Sequence, residues 1–188
     1  MRKLLLVFTL ITFTSSVFAQ RGDNEWFASV GLNAINSIGS KSPINSPDEW
    51  AFKIPIAASI ELVWPSGLAI EESITLNGFS ENDVIDGAIL TEDYTYLSFD
   101  THVKYYFGQQ LFPDFDQLDF YGLAGVGIFS IEDTNISGNL GGGILYWVNR
   151  RKTFGIKAQT VAKFALDHKF SGFDNNHFQI HLQAIFAL

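Results

Sequence analysis

Ser98, Asp100 and His102 stand two residues apart in one short segment, and together they offer a nucleophile, an acid and a base. On an extended chain, neighbours at that spacing lie about 7 Å apart, too far for a direct proton relay. His168, His177 and His181 cluster toward the other end of the chain, where each reads as a hydrogen-bonding filler. The acidic run Glu81 to Asp93 carries Asn82, Asp83, Asp86, Gly87, Glu92 and Asp93. If Gly87 took the sixth position of a calcium loop, apolar Val84 would stand where an oxygen ligand belongs. Gly141 to Gly143 has no helix after it to cradle a phosphate. Arg21-Gly22-Asp23 and Asn135-Ile136-Ser137 match short motifs that three residues satisfy by chance. No catalytic residue, cofactor site or metal site is expected.

The other candidates are charges that recur inside apolar segments: Lys53, Glu61, Glu71, Asp100, His102, Lys104, Lys157 and Lys163. Their chemistry depends on the elements that carry them. From residue 25 onward the hydrophobic period is two, the mark of half-buried strands. In the last segment Phe178, Ile180, Leu182, Ala184, Phe186 and Leu188 alternate with His177, Gln179, His181 and Gln183. Phe52 to Trp64, Thr95 to Phe107 and Phe154 to Phe164 alternate in the same way. Stretches near 25–35, 67–78, 119–131 and 138–148 do so more weakly. Eight segments of 10–13 residues are joined by connections that alternate long and short, as in an up-and-down membrane barrel. Gly108 to Leu118 breaks that alternation, being too long for an ordinary short turn.

Composition narrows the class. The chain has 188 residues, 15% of them aromatic and only 17% charged, against roughly 25% charged in a typical soluble domain. Its 20 acidic residues outnumber 12 basic ones, which argues against a nucleic-acid partner. The absence of cysteine removes disulfides and thiolate sites. Arg2 and Lys3, the apolar run Leu4 to Phe13 and Val17-Phe18-Ala19 form the three parts of a secretory signal peptide. Residues 1–19 are therefore expected to be a cleaved leader, and 20–188 one all-β domain.

The direction of the alternation separates two readings. A soluble barrel turns its apolar face inward, whereas a membrane barrel turns it to lipid. The four clean apolar faces carry no Lys or Arg. Slipping their register by one would send Lys53, Lys104, Lys157 and Lys163 into lipid at ~2–4 kcal/mol each near the midplane. Aromatics gather near segment ends, with Trp26, Trp64, Tyr105, Tyr106, Tyr121, Trp147 and Phe154 toward one rim. Trp50, Tyr94 and Tyr96 lie toward the other, as two interfacial belts would require. Trp26, Trp50, Trp64, Tyr105, Trp147 and Phe154 are accordingly expected at the membrane interface. Glu72 shares an apolar face with Ile70 and Ile74 unless a bulge at Glu71-Glu72 turns both carboxyls inward.

The run Gly138-Asn139-Leu140-Gly141-Gly142-Gly143-Ile144-Leu145-Tyr146-Trp147, followed by Phe154-Gly155-Ile156-Lys157-Ala158-Gln159, resembles the later strands of small OmpA-like outer-membrane barrels of the Bacteroidetes type. Tyr121 to Gly127 and the alternating end from His177 are similar to the same family. The resemblance implies an eight-stranded antiparallel up-and-down transmembrane β-barrel, exported by the general secretory route and inserted by the outer-membrane barrel assembly machinery.

The expected molecule is a monomeric outer-membrane barrel, in contact with membrane lipid and lipopolysaccharide. Its interior is filled by Lys53, Glu61, Glu71, Asp100, His102, Lys104, Lys157 and Lys163, because eight strands leave a bore only as wide as side chains. Its role would be structural or surface-interacting, through loops near 36–50, 78–93, 131–137 and 166–176. Three alternatives stand beside it: a soluble lipocalin-like binder of an apolar molecule, a lipid-A acyl-modifying enzyme and a narrow pore. The histidines lack the His-x-Ser-Asn context of outer-membrane lipid-A deacylases.

Overall fold

A computed structural model describes residues 23–37, 50–85, 88–131, 133–167 and 176–188. The leader, its cleavage site after Ala19, most of the 36–50 and 166–176 loops, Arg21, Gly22, Asp86, Gly87 and His168 lie outside the described residues.

Eight long strands carry the two-residue period: β1 (Glu25–Ser37), β2 (Ile56–Val63), β3 (Leu68–Phe79), β6 (Tyr94–Tyr106), β7 (Leu118–Ser130), β8 (Thr134–Trp147), β9 (Phe154–Ala165) and β10 (His177–Ala187). Two short strands, β4 (Val84–Ile85) and β5 (Ala88–Ile89), form a separate hairpin between β3 and β6. Each long strand pairs antiparallel with its neighbours in sequence, and β10 returns to β1, from Phe27 opposite Ala187 to Ser37 opposite His177. The sheet is thus a closed up-and-down barrel with no free edge. A single helical turn, α1 (Gly108–Leu111), follows β6.

The described strands point their polar residues inward and their apolar residues outward. On β6, Ser98, Asp100, His102 and Lys104 are buried while Phe99 and Val103 are more than half exposed. On β10, His177, Gln179, His181 and Gln183 are buried, whereas Ile180, Leu182 and Phe186 stand outside. A soluble ligand-binding barrel would require the opposite sense.

The interior has three layers. Phe27, Tyr106, Tyr121, Leu123, Leu145 and Trp147 belong to an apolar cap at the end that holds the short turns. Ile35, Ala51, Phe79, Leu90, Tyr96 and Phe129 belong to a second cap at the long-loop end. Charged and amide side chains fill the space between.

Three sequence expectations change here. The second strand begins at Ile56 rather than Phe52, because Pro55 has no N–H for the ladder and restricts the residue before it. Ala51 still bridges to Ile35, and the Pro55 carbonyl still accepts from the Asn33 N–H at 3.2 Å, but Phe52 to Ile54 leave the sheet. Trp147, Tyr96, Tyr106 and Tyr121 are not interfacial. They lie near strand ends, but their parity turns them into the bore, where all four are buried. Height along the barrel and facing are independent, and only outward residues such as Trp26 and Tyr105 meet the outside. Finally, β3 pairs without interruption with both β2 and β6. No bulge occurs at Glu71-Glu72, so Glu71 points in and Glu72 points out.

Candidate functional site

The densest chemistry lies in the middle layer of the bore. Glu71 on β3 is its hub and is completely buried. Its Oε2 accepts from Lys104 Nζ at 2.6 Å, from Lys157 Nζ and from Ser59 Oγ at 3.2 Å. Its Oε1 faces Gln159 Nε2 at 3.3 Å and His102 Nδ1 at 3.4 Å. Lys104 also donates to Glu61 Oε2 at 3.0 Å, and the Tyr106 hydroxyl donates to the other oxygen of Glu61. Lys104 Nζ lies 4.6 Å from the centre of the Tyr121 ring, over its negative face.

A second group lies nearer the long loops. Lys163 Nζ donates to Asp100 Oδ1 at 2.6 Å, and the same oxygen accepts from Asn139 Nδ2 at 2.9 Å. Ser98 Oγ donates to Asp100 Oδ2 at 3.0 Å. Asn139 also contacts His102 Nε2 at 3.2 Å. His102 therefore joins the two groups, with Glu71 on one ring nitrogen and Asn139 on the other. Above them, Gln179 donates to the Tyr96 hydroxyl at 2.6 Å and to Ser98 Oγ at 3.3 Å. Tyr96 reaches His177 Nε2 at 2.7 Å, and His181 contacts Gln179.

Three carboxylates thus meet three ammonium groups in the middle layer, and amides and hydroxyls take up the remaining hydrogen bonds. Buried charges are tolerated only when paired and hydrogen-bonded in this way. Two glycines make the packing possible. A Cβ at Gly127 would lie 1.8 Å from Asp100 Oδ1, and one at Gly143 would lie 2.4 Å from the Tyr121 hydroxyl. The strand glycines provide room for large interior side chains and build no ligand loop.

Seven of the eight expected network residues converge here: Glu61, Glu71, Asp100, His102, Lys104, Lys157 and Lys163. Lys53 does not. It lies in the segment displaced from the sheet by Pro55, and its Nζ meets Asp93 at 2.6 Å outside the bore. The Lys53 hydrogen bond, with a backbone N–H from Glu81 and the attraction of Lys53, holds the Asp93 carboxyl below its usual range. Asp83 accepts from the Ser80 N–H at 2.7 Å. These two carboxylates fold the loop around β4 and β5. Among the described residues no group of three or more acidic, His or Cys side chains is arranged to hold a metal ion.

Ser98, Asp100 and His102 do come together, though not as a relay. Serine bonds to aspartate, while histidine is taken by Glu71 and Asn139, and all three are sealed between the apolar caps. Five further residues join the network: Tyr106 and Tyr121, which the sequence pattern had placed in a rim belt, and Asn139, Gln159 and Gln179, to which it gave no role in the bore. Parity was the signal for two of them, since Tyr106 shares a strand face with Lys104 and Gln159 with Lys157 and Lys163, whereas Tyr121, Asn139 and Gln179 stand on strands that carry none of the expected charges.

Of the expected interfacial aromatics, Trp26 is 48% exposed and Tyr105 36%. Trp50, Trp64 and Phe154 are partly exposed, and Phe154 packs on Phe186 with ring centres 5.3 Å apart. Trp147 instead closes the short-turn end from inside, against Phe27 at 5.3 Å.

No protein-family model matches the chain, and no curated protein sequence matches it either. Solved structures do. Ail, the attachment invasion locus protein of Yersinia pestis, superposes with a TM-score of 0.50 at 16% identity, over 90% of this chain and 100% of that one. Neisserial surface protein A gives 0.53 at 12% identity, over 86% and 94%. The fold is that of a small outer-membrane β-barrel. Ail in a phospholipid bilayer nanodisc matches equally well, with a TM-score of 0.50 over 88% of this chain.

Proposed function

We propose that this chain is an integral barrel of the bacterial outer membrane with a closed interior and a structural or surface-interaction role. The observation that carries the reading is the sense of the alternation. A ring of Ile, Leu, Val and Phe faces out, with Leu32, Val126 and Leu140 each at least 60% exposed. The ion pairs that water would otherwise solvate are enclosed. In water such a molecule would expose its core residues and bury its charges. In lipid both faces are satisfied, and closure of the sheet pairs the backbone.

The ends support the same reading. Trp26, Tyr105, Phe154 and Phe186 lie near the short-turn rim, as an aromatic girdle at the headgroups would. The caps and the paired charges fill the bore, so the interior stiffens the wall and does not conduct. Residues 1–19 act as the export leader, the assembly machinery inserts the barrel, and the long loops meet lipopolysaccharide and the outside. The stretch from Gly138 to Gln159 supports the OmpA-like, Bacteroidetes-type grouping.

Cell fractionation tests this. The protein should sediment with outer membranes, resist alkaline extraction and migrate differently on a gel with and without boiling. Recovery in the soluble periplasm or medium would reject the reading.

A further inference from the structure

The connection between β6 and β7 is longer than a membrane barrel needs at its short-turn end, and the structure shows where the extra residues go. Gly108 starts the excursion by passing close to β7. Its N–H donates to Asp119 Oδ1 at 2.7 Å, and a Cβ there would lie 2.6 Å from the Asp119 Cα. The chain then bends over the outer side of the rim. Gln110 Nε2 donates to the hydroxyl of Tyr105 at 2.7 Å, and Tyr105 is an outward residue of β6. The ring of Phe112 sits 5.8 Å from that of Phe120, which faces outward on β7 between buried Asp119 and Tyr121. At its far end the segment is fixed by a backbone pair, with the Trp147 N–H donating to Gln117 O at 2.7 Å.

Held this way, the segment leaves Leu111 at 59% exposure and both Phe112 and Phe115 at 49%. Three large apolar side chains within five residues are costly to leave in water. The other two short turns contain Pro65-Ser66 and Asn149-Arg150-Arg151-Lys152 and present polar or basic tips. The exposed apolar group is continuous with the outward aromatics Tyr105 and Phe120, at the height where the girdle meets the headgroups. Asp114 and Asp116, interspersed with it, are exposed and would remain on the water side.

We propose that residues 108–117 form a foot that inserts Leu111, Phe112 and Phe115 into the headgroup and acyl boundary of the periplasmic leaflet. The foot fixes the height and tilt of the barrel at that rim, as interfacial apolar segments do. The proposal rests on the membrane reading above and adds a specific lipid contact to it.

The chain has no cysteine, so single nitroxide labels can be placed cleanly. The full chain would be refolded into phosphatidylcholine vesicles with a label at Leu111→Cys or, separately, at Phe115→Cys. Leu140→Cys on the outer wall and Ser66→Cys on a polar turn serve as references. Collision with oxygen, enriched in lipid, and with a water-soluble nickel chelate then reports depth. The foot predicts that positions 111 and 115 favour oxygen over the chelate, closer to Leu140→Cys than to Ser66→Cys. Chelate accessibility at 111 and 115 equal to that at Ser66→Cys, with Leu140→Cys still in lipid, overturns the foot and leaves the barrel reading intact. Chelate access at Leu140→Cys as well would overturn both.

Discussion

Replacing Glu71 with Gln is the most informative single change in the bore. The variant keeps the size and one carbonyl acceptor but removes the charge that two lysines share. Lys104 retains Glu61 at 3.0 Å, whereas Lys157 is left with Glu61 at 4.0 Å and the Ser59 hydroxyl. A middle layer balanced at three against three becomes one positive charge in excess, sealed between apolar caps. Breaking a buried pair by removing one partner costs about 3–5 kcal/mol, because the other charge stays buried without compensation. Reversible urea unfolding of the refolded protein in vesicles would read that loss. A second change, Lys157→Met, removes the surplus ammonium and should recover most of the stability, giving a strong favourable coupling in the double-mutant cycle. A loss below about 1 kcal/mol for Glu71→Gln, or additive losses in the double variant, would refute the closed network. The interior would then be wet enough to screen each charge by itself.

Other expected outcomes follow from single residues. Glu72 is the one charged side chain on the outward face of the described barrel strands, held only by the Thr101 hydroxyl at 2.8 Å. Glu72→Leu should therefore raise stability in vesicles by about 1–2 kcal/mol in the same urea assay, and a loss would mean the carboxyl has a use in lipid. Gly127→Ala places a methyl group on Asp100, and should lower stability by about 1–3 kcal/mol while weakening the Lys163 pair; an unchanged unfolding curve would contradict the packing. Asp93 has a depressed carboxyl pKa in the folded loop, so its contribution is present above about pH 4 and is lost as pH falls through the lowered value. Proteolysis or amide exchange between residues 81 and 93 should rise on acidification, and Asp93→Asn should raise it at neutral pH. Planar bilayers carrying the refolded barrel should show no steady conductance, and a persistent open channel would contradict the filled bore.

Much of this was legible in the sequence because a strand reports its facing every second residue. The alternation of His177 to Leu188, and of Thr95 to Phe107, revealed the strands and which residues share a wall. The acidic and basic residues on those walls then had to meet wherever the sheet closed. What alternation does not carry is the partner. Glu71 meets Lys157 across the bore, 86 residues away in sequence, and only the closure of β1 on β10 determines that pairing. Lys53 was misplaced because Pro55 ends the ladder while the hydrophobic pattern runs on through Phe52. Trp147 and Tyr106 were misplaced because their height near a rim was taken as exposure to lipid, although their parity pointed inward. The connection from Gly108 to Leu118 stood out by length alone, and its outward course needed the contacts of Gln110 and Phe112.

The most direct test of the central claim is a cysteine scan along β10, from Phe178 to Phe186, in vesicles whose lipids carry a bromine quencher. With a fluorescent label at each position in turn, the even positions 178, 180, 182, 184 and 186 should be quenched and the odd ones 179, 181, 183 and 185 should not. Quenching confined to the odd positions, or absent throughout, would contradict a barrel that turns its apolar face to lipid and closes over its charges.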